Sequence, residues 1–166
     1  CPYSHDMHLV DVLQAAQVLL GVVGALLIHA EQPISVALED PEDQSHAIGI
    51  AHIANGALCA SAPSRRHWNV AVNERTQIAI HHLLNAIDGL PAQQTEASWA
   101  YIPANATLNL ARDYPTAVAD GLATALFVSD VAQLQRTFDF TYATLDESRQ
   151  IAVSRNFPAE LFLRSA

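Results

Sequence analysis

Asp120 and Thr124 stand four positions apart in a stretch of small and apolar residues, ADGLATALFV. In a helix, positions i and i+4 lie one above the other on the same face, about 6 Å apart at Cβ. A carboxylate and a hydroxyl placed in this way can bind one hard cation such as Mg²⁺, which prefers oxygen ligands. The alternative is that both side chains cap the helix while their apolar neighbours pack in a core. These residues alone leave both interpretations open.

The basic and imidazole side chains exclude several other kinds of chemistry. All eight basic residues are arginine, and the absence of lysine excludes a Walker-type phosphate loop and a Schiff base. The adjacent Arg65 and Arg66 have planar guanidinium groups that suit carboxylate or phosphate oxygens, although a solvated loop would also explain them. The eight histidines form no H-x-x-x-H pair. His81 and His82 are adjacent, so in a strand only one of them can face a given site.

Length and composition predict a single acidic globular domain over residues 1–166. Hydrophobic residues make up 51% and charged residues 15%, and the chain is long enough to bury a sizeable core. The net charge of −9 would repel a phosphate backbone, which excludes nucleic acid as a partner. Polar residues interrupt the most apolar stretch, 10–30, so we expect no membrane span. The two cysteines form no C-x-x-C motif and leave the compartment open.

The hydrophobic periodicity predicts a helix, then several strands, then two helices and a closing hairpin. The first helix is expected at Val10–Gly21, because apolar residues recur there at helical spacing. Strands are expected at 24–30 and 33–44, on either side of an Asn55-Gly56 hairpin turn, on either side of Asn73 and Glu74, and at 97–103. The later helices are expected at 117–127 and 131–140, and the closing hairpin at 138–157. This order predicts an α+β fold with a mainly antiparallel sheet and packed helices.

Five short motifs along the chain match, in the same order, those of one known protein family. HLLNAIDGLP at 82–91 is similar to H-I-I-D-P-x-T-G-x-P, and ADGLATALFV at 119–128 is similar to A-D-A-L-A-T-A. Before them, ALCASAPSRRHW at 57–68 is similar to A-x-A-T-S-G-x-x-x-R, and ISVALEDP at 34–41 to a strand before an Asp-Pro turn. YATLDESRQIAVSRNF at 142–157 is similar to the closing hairpin. With these five motifs the chain resembles the FAD:protein FMN transferases, the ApbE-type flavin transferases. The resemblance implies an ApbE-like fold, of which this chain would be the C-terminal portion.

The resemblance also implies an activity, the Mg²⁺-dependent transfer of FMN from FAD to a threonine of an acceptor protein. Asp120 and Thr124 would hold Mg²⁺ against the pyrophosphate of FAD, the substrate, with Asp120 and His82 as the catalytic residues. The motif register selects His82, and not His81, to face the cleft. The residues implied to bind the nucleotide are Ser61, Arg65, Arg66, His82 and Asn85.

Several motif positions depart from the family pattern, among them Asp88 in place of the threonine of the histidine motif. HDMHLVD at 5–11 stands where the family has A-K-G-Y-A-V-D, and residues 29–33, HAEQP, stand where it has G-G-D. Asn85-Ala86 replaces the Asp-Pro of the histidine motif. These departures favour a second hypothesis, in which a diverged member binds another small molecule or serves as a noncatalytic interaction subunit. Because part of the fold would expose core surface, we also expect a homodimer or a second chain that completes it.

Overall fold

The computed structural model of the chain describes residues 7–8, 18–20, 24–73 and 76–162. In this part the strands are β1 Met7–His8, β2 Val18–Leu20, β3 Gly24–Glu39, β4 His46–Ser61, β5 His67–Asn73, β6 Thr76–His81, β7 Thr95–Pro103, β8 Thr141–Asp146, β9 Ile151–Val153 and β10 Ala159–Leu161. The α-helices are α1 Asn109–Asp113, α2 Pro115–Ala125 and α3 Val131–Thr137, and a 3-10 turn spans Pro63–Arg65.

Eight of these strands form one sheet centred on β4. The order is β2-β3-β4-β7-β8-β9, and β1 and β10 pair with the N-terminal half of β4. Every pairing in this sheet is antiparallel except that of β2 with β3. The strands β5 and β6 form a separate two-stranded hairpin. The prediction of an α+β fold with a mainly antiparallel sheet is therefore confirmed.

The central strands bury side chains on both faces of the sheet. Leu58 of β4 and Trp99 of β7 lie in one apolar cluster, whereas their neighbours Cys59 and Ala100 lie in a second one. Alternation along a strand sends successive side chains to opposite faces, which explains the division. The second cluster also contains Ala119, Leu122 and Ala123, so α2 packs on this face of the sheet. Small residues on both sides of the contact let the helix approach the strands closely.

Two of the predicted boundaries between strands are wrong. Residues 24–39 form the single strand β3, where two strands were expected, and β4 runs straight through Asn55-Gly56, where a hairpin turn was expected. Gly56 has φ +142, and a Cβ on it would lie 2.7 Å from Cε2 of Tyr101 and still closer to the carbonyl oxygen of Ile102. The glycine therefore permits a close approach of β7 within a continuous strand, and it does not make a turn.

The first predicted helix is wrong where the structure describes it, because Val18–Leu20 pairs in parallel with Val36–Leu38 of β3 as a strand. The rest of Val10–Gly21 lies outside the described residues. The hairpin of β5 and β6, the strand β7, the helices α2 and α3 and the hairpin of β8 and β9 are confirmed. The helix α1 and the strand β10 were not predicted. In the described part of the chain, none of the helices has the length and hydropathy to cross a bilayer.

Candidate functional site

Helix α2 carries Asp120 and Thr124 on its exposed side, one turn apart. The helix begins with Pro115 at its first turn, where the missing N–H of proline costs no hydrogen bond. Its buried face, Ala119, Leu122 and Ala123, packs on the sheet, so the opposite face is left to solvent. Within the described residues neither Asp120 nor Thr124 has a side-chain hydrogen bond or ion pair. The expected same-face geometry of the two oxygens is therefore present.

The capping alternative for these two residues is contradicted by the bounds of the helix. The N-cap position is Tyr114, and no side chain makes a cap hydrogen bond there. Asp120 lies in the middle of the helix and Thr124 near its end, so neither can accept a hydrogen bond from the free N–H groups of the first turn. The helix is held to the sheet by other contacts. The Ser98 hydroxyl donates to the Ala123 carbonyl oxygen at 2.6 Å.

The carboxylate of Asp120 is close enough to the sheet to influence Cys59. Burial raises the pKa of the Cys59 thiol to about 12, and the negative charge of Asp120 contributes to the same shift. The Cys59 Sγ also lies 3.4 Å from the Thr116 carbonyl oxygen, to which the thiol donates. The thiol therefore stays protonated at neutral pH, which makes Cys59 a packing residue and a poor nucleophile.

Residues 30–33, which stand in the segment where the family has G-G-D, form a bulge in the middle of β3. His29 pairs with Asn55 and Ile34 pairs with Ile53, so residues 30–33 bulge out opposite the single residue Ala54. His29 lines a cavity of about 250 Å³ together with residues of α1 and with Pro115 at the start of α2. The strand that carries the bulge therefore meets the N-terminal end of the helix that carries Asp120.

The loop of the histidine motif meets the other end of α2. Asn85 lines a cavity of about 540 Å³ together with Asp88 of its own loop and with Phe127 and Ser129, which follow the helix. The Asn85 side-chain oxygen accepts a hydrogen bond from the Ile87 N–H at 2.9 Å, which fixes the turn of this loop. Neither Asp120 nor Thr124 is among the residues that line this cavity.

The paired histidines His81 and His82 have different surroundings. His81 lines a cavity of about 440 Å³, and its Nε2 donates to the Ala92 carbonyl oxygen at 2.9 Å. His82 is half-buried, does not line that cavity, and has its Nδ1 3.4 Å from the Arg66 carbonyl oxygen. The expectation that His82 and not His81 faces the flavin cleft stays a prediction, because this cavity is a different observation. Strand alternation does not place the side chain of His82, since β6 ends at His81.

Three further predicted nucleotide-binding residues, Ser61, Arg65 and Arg66, lie at the end of β4 and in the 3-10 turn that follows it. Ser61 is the last residue of β4, is 6% exposed, and pairs with Ser98 of β7. Arg65 ends the 3-10 turn, and its side chain lies outside the described residues. Arg66 follows it with an exposed side chain. The structure thus brings Arg66 and His82 together through their hydrogen bond. Asn85 lies elsewhere, in the cavity of about 540 Å³ and not in the one that His81 lines.

The cavity that His81 lines contains a group of carboxylates that the sequence did not reveal. Glu42, Glu96 and Glu147 all line it, and they come from three separate parts of the chain. Burial raises the pKa of Glu96, and the negative charge of Glu42 adds to this effect. Among the described residues no group of three His, Cys, Asp or Glu side chains has the arrangement of a metal site. The sequence offers no signal for this cavity, because no spacing connects residues so far apart.

Comparison with known proteins identifies what the chain is similar to. The model of the ApbE family matches residues 7–145. The fold is similar to the crystal structure of the ApbE protein from Thermotoga maritima, with a TM-score of 0.63 and 20% sequence identity. The match covers 82% of this chain and 43% of that protein, so the chain spans less than half the length of this relative. No curated protein matches the chain.

Proposed function

Because the chain belongs to the ApbE family, we propose that it carries the Mg²⁺- and pyrophosphate-binding part of a flavin transferase. The reaction would transfer FMN from FAD to a threonine of an acceptor protein and release AMP. The observation that supports this proposal is the exposed pair of Asp120 and Thr124 on one face of α2. Neither residue caps the helix or packs in the core, so the fold gives no structural reason for either oxygen.

The residues present fit a bound magnesium ion. A carboxylate and a hydroxyl one turn apart supply two hard oxygen ligands, and Mg²⁺ commonly completes its octahedron with waters and phosphate oxygens. Bound there, the cation would neutralise the diphosphate and the leaving AMP. The helix itself contributes rigidity, because its buried face and the hydrogen bond from Ser98 fix the backbone under Asp120 and Thr124.

His82 and Arg66 would act on the phosphate end of the nucleotide. The Arg66 carbonyl oxygen accepts a hydrogen bond from His82 Nδ1, which leaves Nε2 as the ring nitrogen available to a ligand. In its protonated form the imidazole would donate from Nε2 to a phosphate oxygen, and the exposed guanidinium of Arg66 would supply positive charge nearby. Ser61, Arg65 and Asn85 remain proposed ligands of the same nucleotide.

The residues of the bulge at 30–33 do not fit the close backbone approach that the family G-G-D provides. The bulge contains no glycine, the side chains of Glu31 and Gln32 are exposed, and Pro33 offers no N–H donor. This observation favours a second candidate function. In this second function the chain is a diverged family member that uses the same cleft to bind a different phosphate-containing small molecule. It transfers no flavin.

An assay with an acceptor protein tests the first function. The chain is incubated with FAD, Mg²⁺ and a flavin-acceptor protein, and we expect covalent FMN on the acceptor and an equal amount of AMP. The variant Asp120→Asn should lose both products. Asp130→Asn is the matched control, because Asp130 caps α3 by accepting from the Ala132 N–H and asparagine caps equally well.

The absence of both products at stoichiometric amounts of the chain would overturn the proposed transfer. Mg²⁺-dependent binding of FAD or ADP without transfer would then support the second candidate.

A further inference from the structure

The ring of His81 joins the last residue of β6 to both ends of the loop of the histidine motif, residues 82–91. The Leu83 N–H donates to His81 Nδ1 at 3.2 Å, and His81 Nε2 donates to the Ala92 carbonyl oxygen at 2.9 Å. The His81 side chain is half-buried, and Leu83 beside it is 5% exposed. One side chain therefore holds the chain where the loop begins and where it ends.

Only one form of the His81 imidazole makes both hydrogen bonds. A neutral ring carries its proton on either Nδ1 or Nε2, and the nitrogen without the proton is the acceptor. Because Nδ1 accepts from the Leu83 N–H, the proton lies on Nε2, which donates to the Ala92 carbonyl oxygen. The other tautomer and the charged imidazolium would each lose at least one of the two bonds. The contacts therefore require a neutral His81 with its proton on Nε2.

Backbone hydrogen bonds inside the loop fix its shape. The Ala92 N–H donates to the Leu83 carbonyl oxygen at 3.0 Å, and the Asn85 N–H donates to the Leu90 carbonyl oxygen at 2.9 Å. The Gly89 N–H donates to the Asn85 carbonyl oxygen at 2.8 Å. A loop closed in this way moves as one unit, so the contacts at its ends decide where its side chains lie.

Two of the proposed nucleotide ligands belong to this loop. His82 follows His81 directly, and Asn85 lines the cavity of about 540 Å³ together with Phe127 and Ser129. We propose that His81 is a positioning residue, which holds His82 and Asn85 in place for the phosphate-containing ligand through its bonds to the loop. This role rests on the proposed function. It belongs to a residue that the motif does not include, since the motif begins at His82.

The tautomer of His81 tests the proposal on the unaltered chain. Long-range ¹H–¹⁵N NMR spectra distinguish a ring nitrogen that carries a proton from one that does not, and the spectrum of His81→Asn identifies the signals of His81. At a pH of about 8, where an ordinary histidine is neutral, we expect the proton on Nε2. A proton on Nδ1 would overturn the proposal, because that ring could not accept from the Leu83 N–H.

Two substitutions of His81 each remove one of its hydrogen bonds. In His81→Asn the side-chain oxygen can take the place of Nδ1 and accept from the Leu83 N–H, whereas in His81→Gln the side-chain amide can take the place of Nε2 and donate to the Ala92 carbonyl oxygen. Each variant should bind ADP with Mg²⁺ about threefold to tenfold more weakly than the wild type, which is the effect of one hydrogen bond. His81→Ala should bind more weakly than either.

The matched control is His67→Asn. His67 pairs with His81 across the hairpin, but its Nδ1 lies 2.8 Å from the Ser64 carbonyl oxygen, which is not part of the loop. This variant should bind ADP with Mg²⁺ as the wild type does. An equal loss of affinity in His67→Asn and in the His81 variants would overturn the proposal, because the loss would then come from the hairpin as a whole.

Amide hydrogen exchange separates a positioning role from a general loss of stability. Exchange at the Leu83 N–H should be faster in His81→Gln and His81→Ala than in the wild type, and unchanged in His81→Asn, while β4 and β7 keep their wild-type exchange. Faster exchange throughout β4 and β7 would indicate general destabilisation and would overturn the proposal.

The ADP measurements also separate this proposal from the proposed function. A wild type that binds no ADP with Mg²⁺ would overturn the proposed function, and the role of His81 would fall with it. Binding to the wild type that His81→Ala leaves unchanged would overturn the role of His81 alone.

Discussion

At the scale of single residues, two carboxylates with buried oxygen atoms, those of Asp40 and Glu96, differ in their hydrogen-bond partners. Asp40 is 2% exposed, and Arg149 Nη1 donates to its Oδ1 at 2.8 Å while Nη2 donates to its Oδ2. Burial alone would raise the pKa of Asp40, but the hydrogen bonds from Arg149 and from the Glu42 N–H outweigh it and lower the pKa. For Glu96 the effect of burial prevails, and the pKa of its carboxyl is raised. Its Oε2 is buried and has no hydrogen-bond partner among the described residues.

The variant Glu96→Gln should be more stable than the wild type at neutral pH. Burial raises the folded-state pKa of Glu96 above its ordinary value of 4.5, so the folded chain binds this proton more tightly than the unfolded chain does. Ionisation of Glu96 therefore costs stability, and the cost is present above the folded pKa and absent below 4.5. Melting temperatures at pH 7 and pH 4 measure the effect, with Glu160→Gln as control, because Glu160 is exposed and lies outside this cavity. If Glu96→Gln melted at the same temperature as the wild type or below it at neutral pH, the raised pKa of Glu96 would be contradicted.

The candidate cation pair could be predicted from the sequence, whereas the carboxylates around His81 could not. Asp120 and Thr124 are separated by one helical turn, so local periodicity alone places them on one face. Glu42, Glu96 and Glu147 lie in three separate parts of the chain, two turns and the strand β7, and only the tertiary fold brings them to one cavity. Strand alternation likewise does not fix the orientation of His82, because alternation holds only inside a strand and β6 ends one residue earlier.

At the scale of elements, alanine substitutions of Gly56 and of Gly121 should change the stability of the protein in opposite directions. A Cβ on Gly56 would meet the backbone of Ile102 and the ring of Tyr101 at φ +142, so Gly56→Ala should lower the free energy of unfolding by about 2–4 kcal/mol. A Cβ on Gly121 meets nothing within 4 Å, and alanine there should stabilise α2 by about 0.5–1 kcal/mol. Urea unfolding measures both changes. Equal effects of the two substitutions would show that the strand does not require its glycine.

The elements that the sequence identified correctly are those whose pattern is local. The hairpin of β5 and β6 and the helix α2 both show clear periodicity and have clear stop signals, so their existence follows from adjacent residues. The long strands β3 and β4 were divided incorrectly because Pro33 and Asn55-Gly56 resemble turns. In the structure a bulge accommodates Pro33 and the packing of β7 accommodates Gly56. In both strands, pairing with residues distant in the sequence keeps the strand continuous where the local sequence predicts a turn.

At the scale of the whole molecule, the chain spans 43% of the length of its solved relative from Thermotoga maritima. The helix α2 and its exposed oxygens nevertheless rest on residues within the chain, through β4, β7 and the cluster around Leu122. The proposed metal site therefore needs no additional segment to position Asp120 and Thr124. In the proposed transfer the acceptor protein would bind a separate surface, and the transfer assay tests that binding together with the chemistry.

The melting temperature of the wild type and of Asp120→Asn, measured with FAD in the presence and absence of Mg²⁺, tests the proposed cation site most directly. A ligand that binds only the folded state raises its stability with the logarithm of ligand concentration. The account predicts an Mg²⁺-dependent rise for the wild type and little or none for Asp120→Asn, with equal melting temperatures of the two proteins without ligand. An equal rise in both proteins, or no rise in the wild type at millimolar Mg²⁺, would contradict the assignment of Asp120 to a cation.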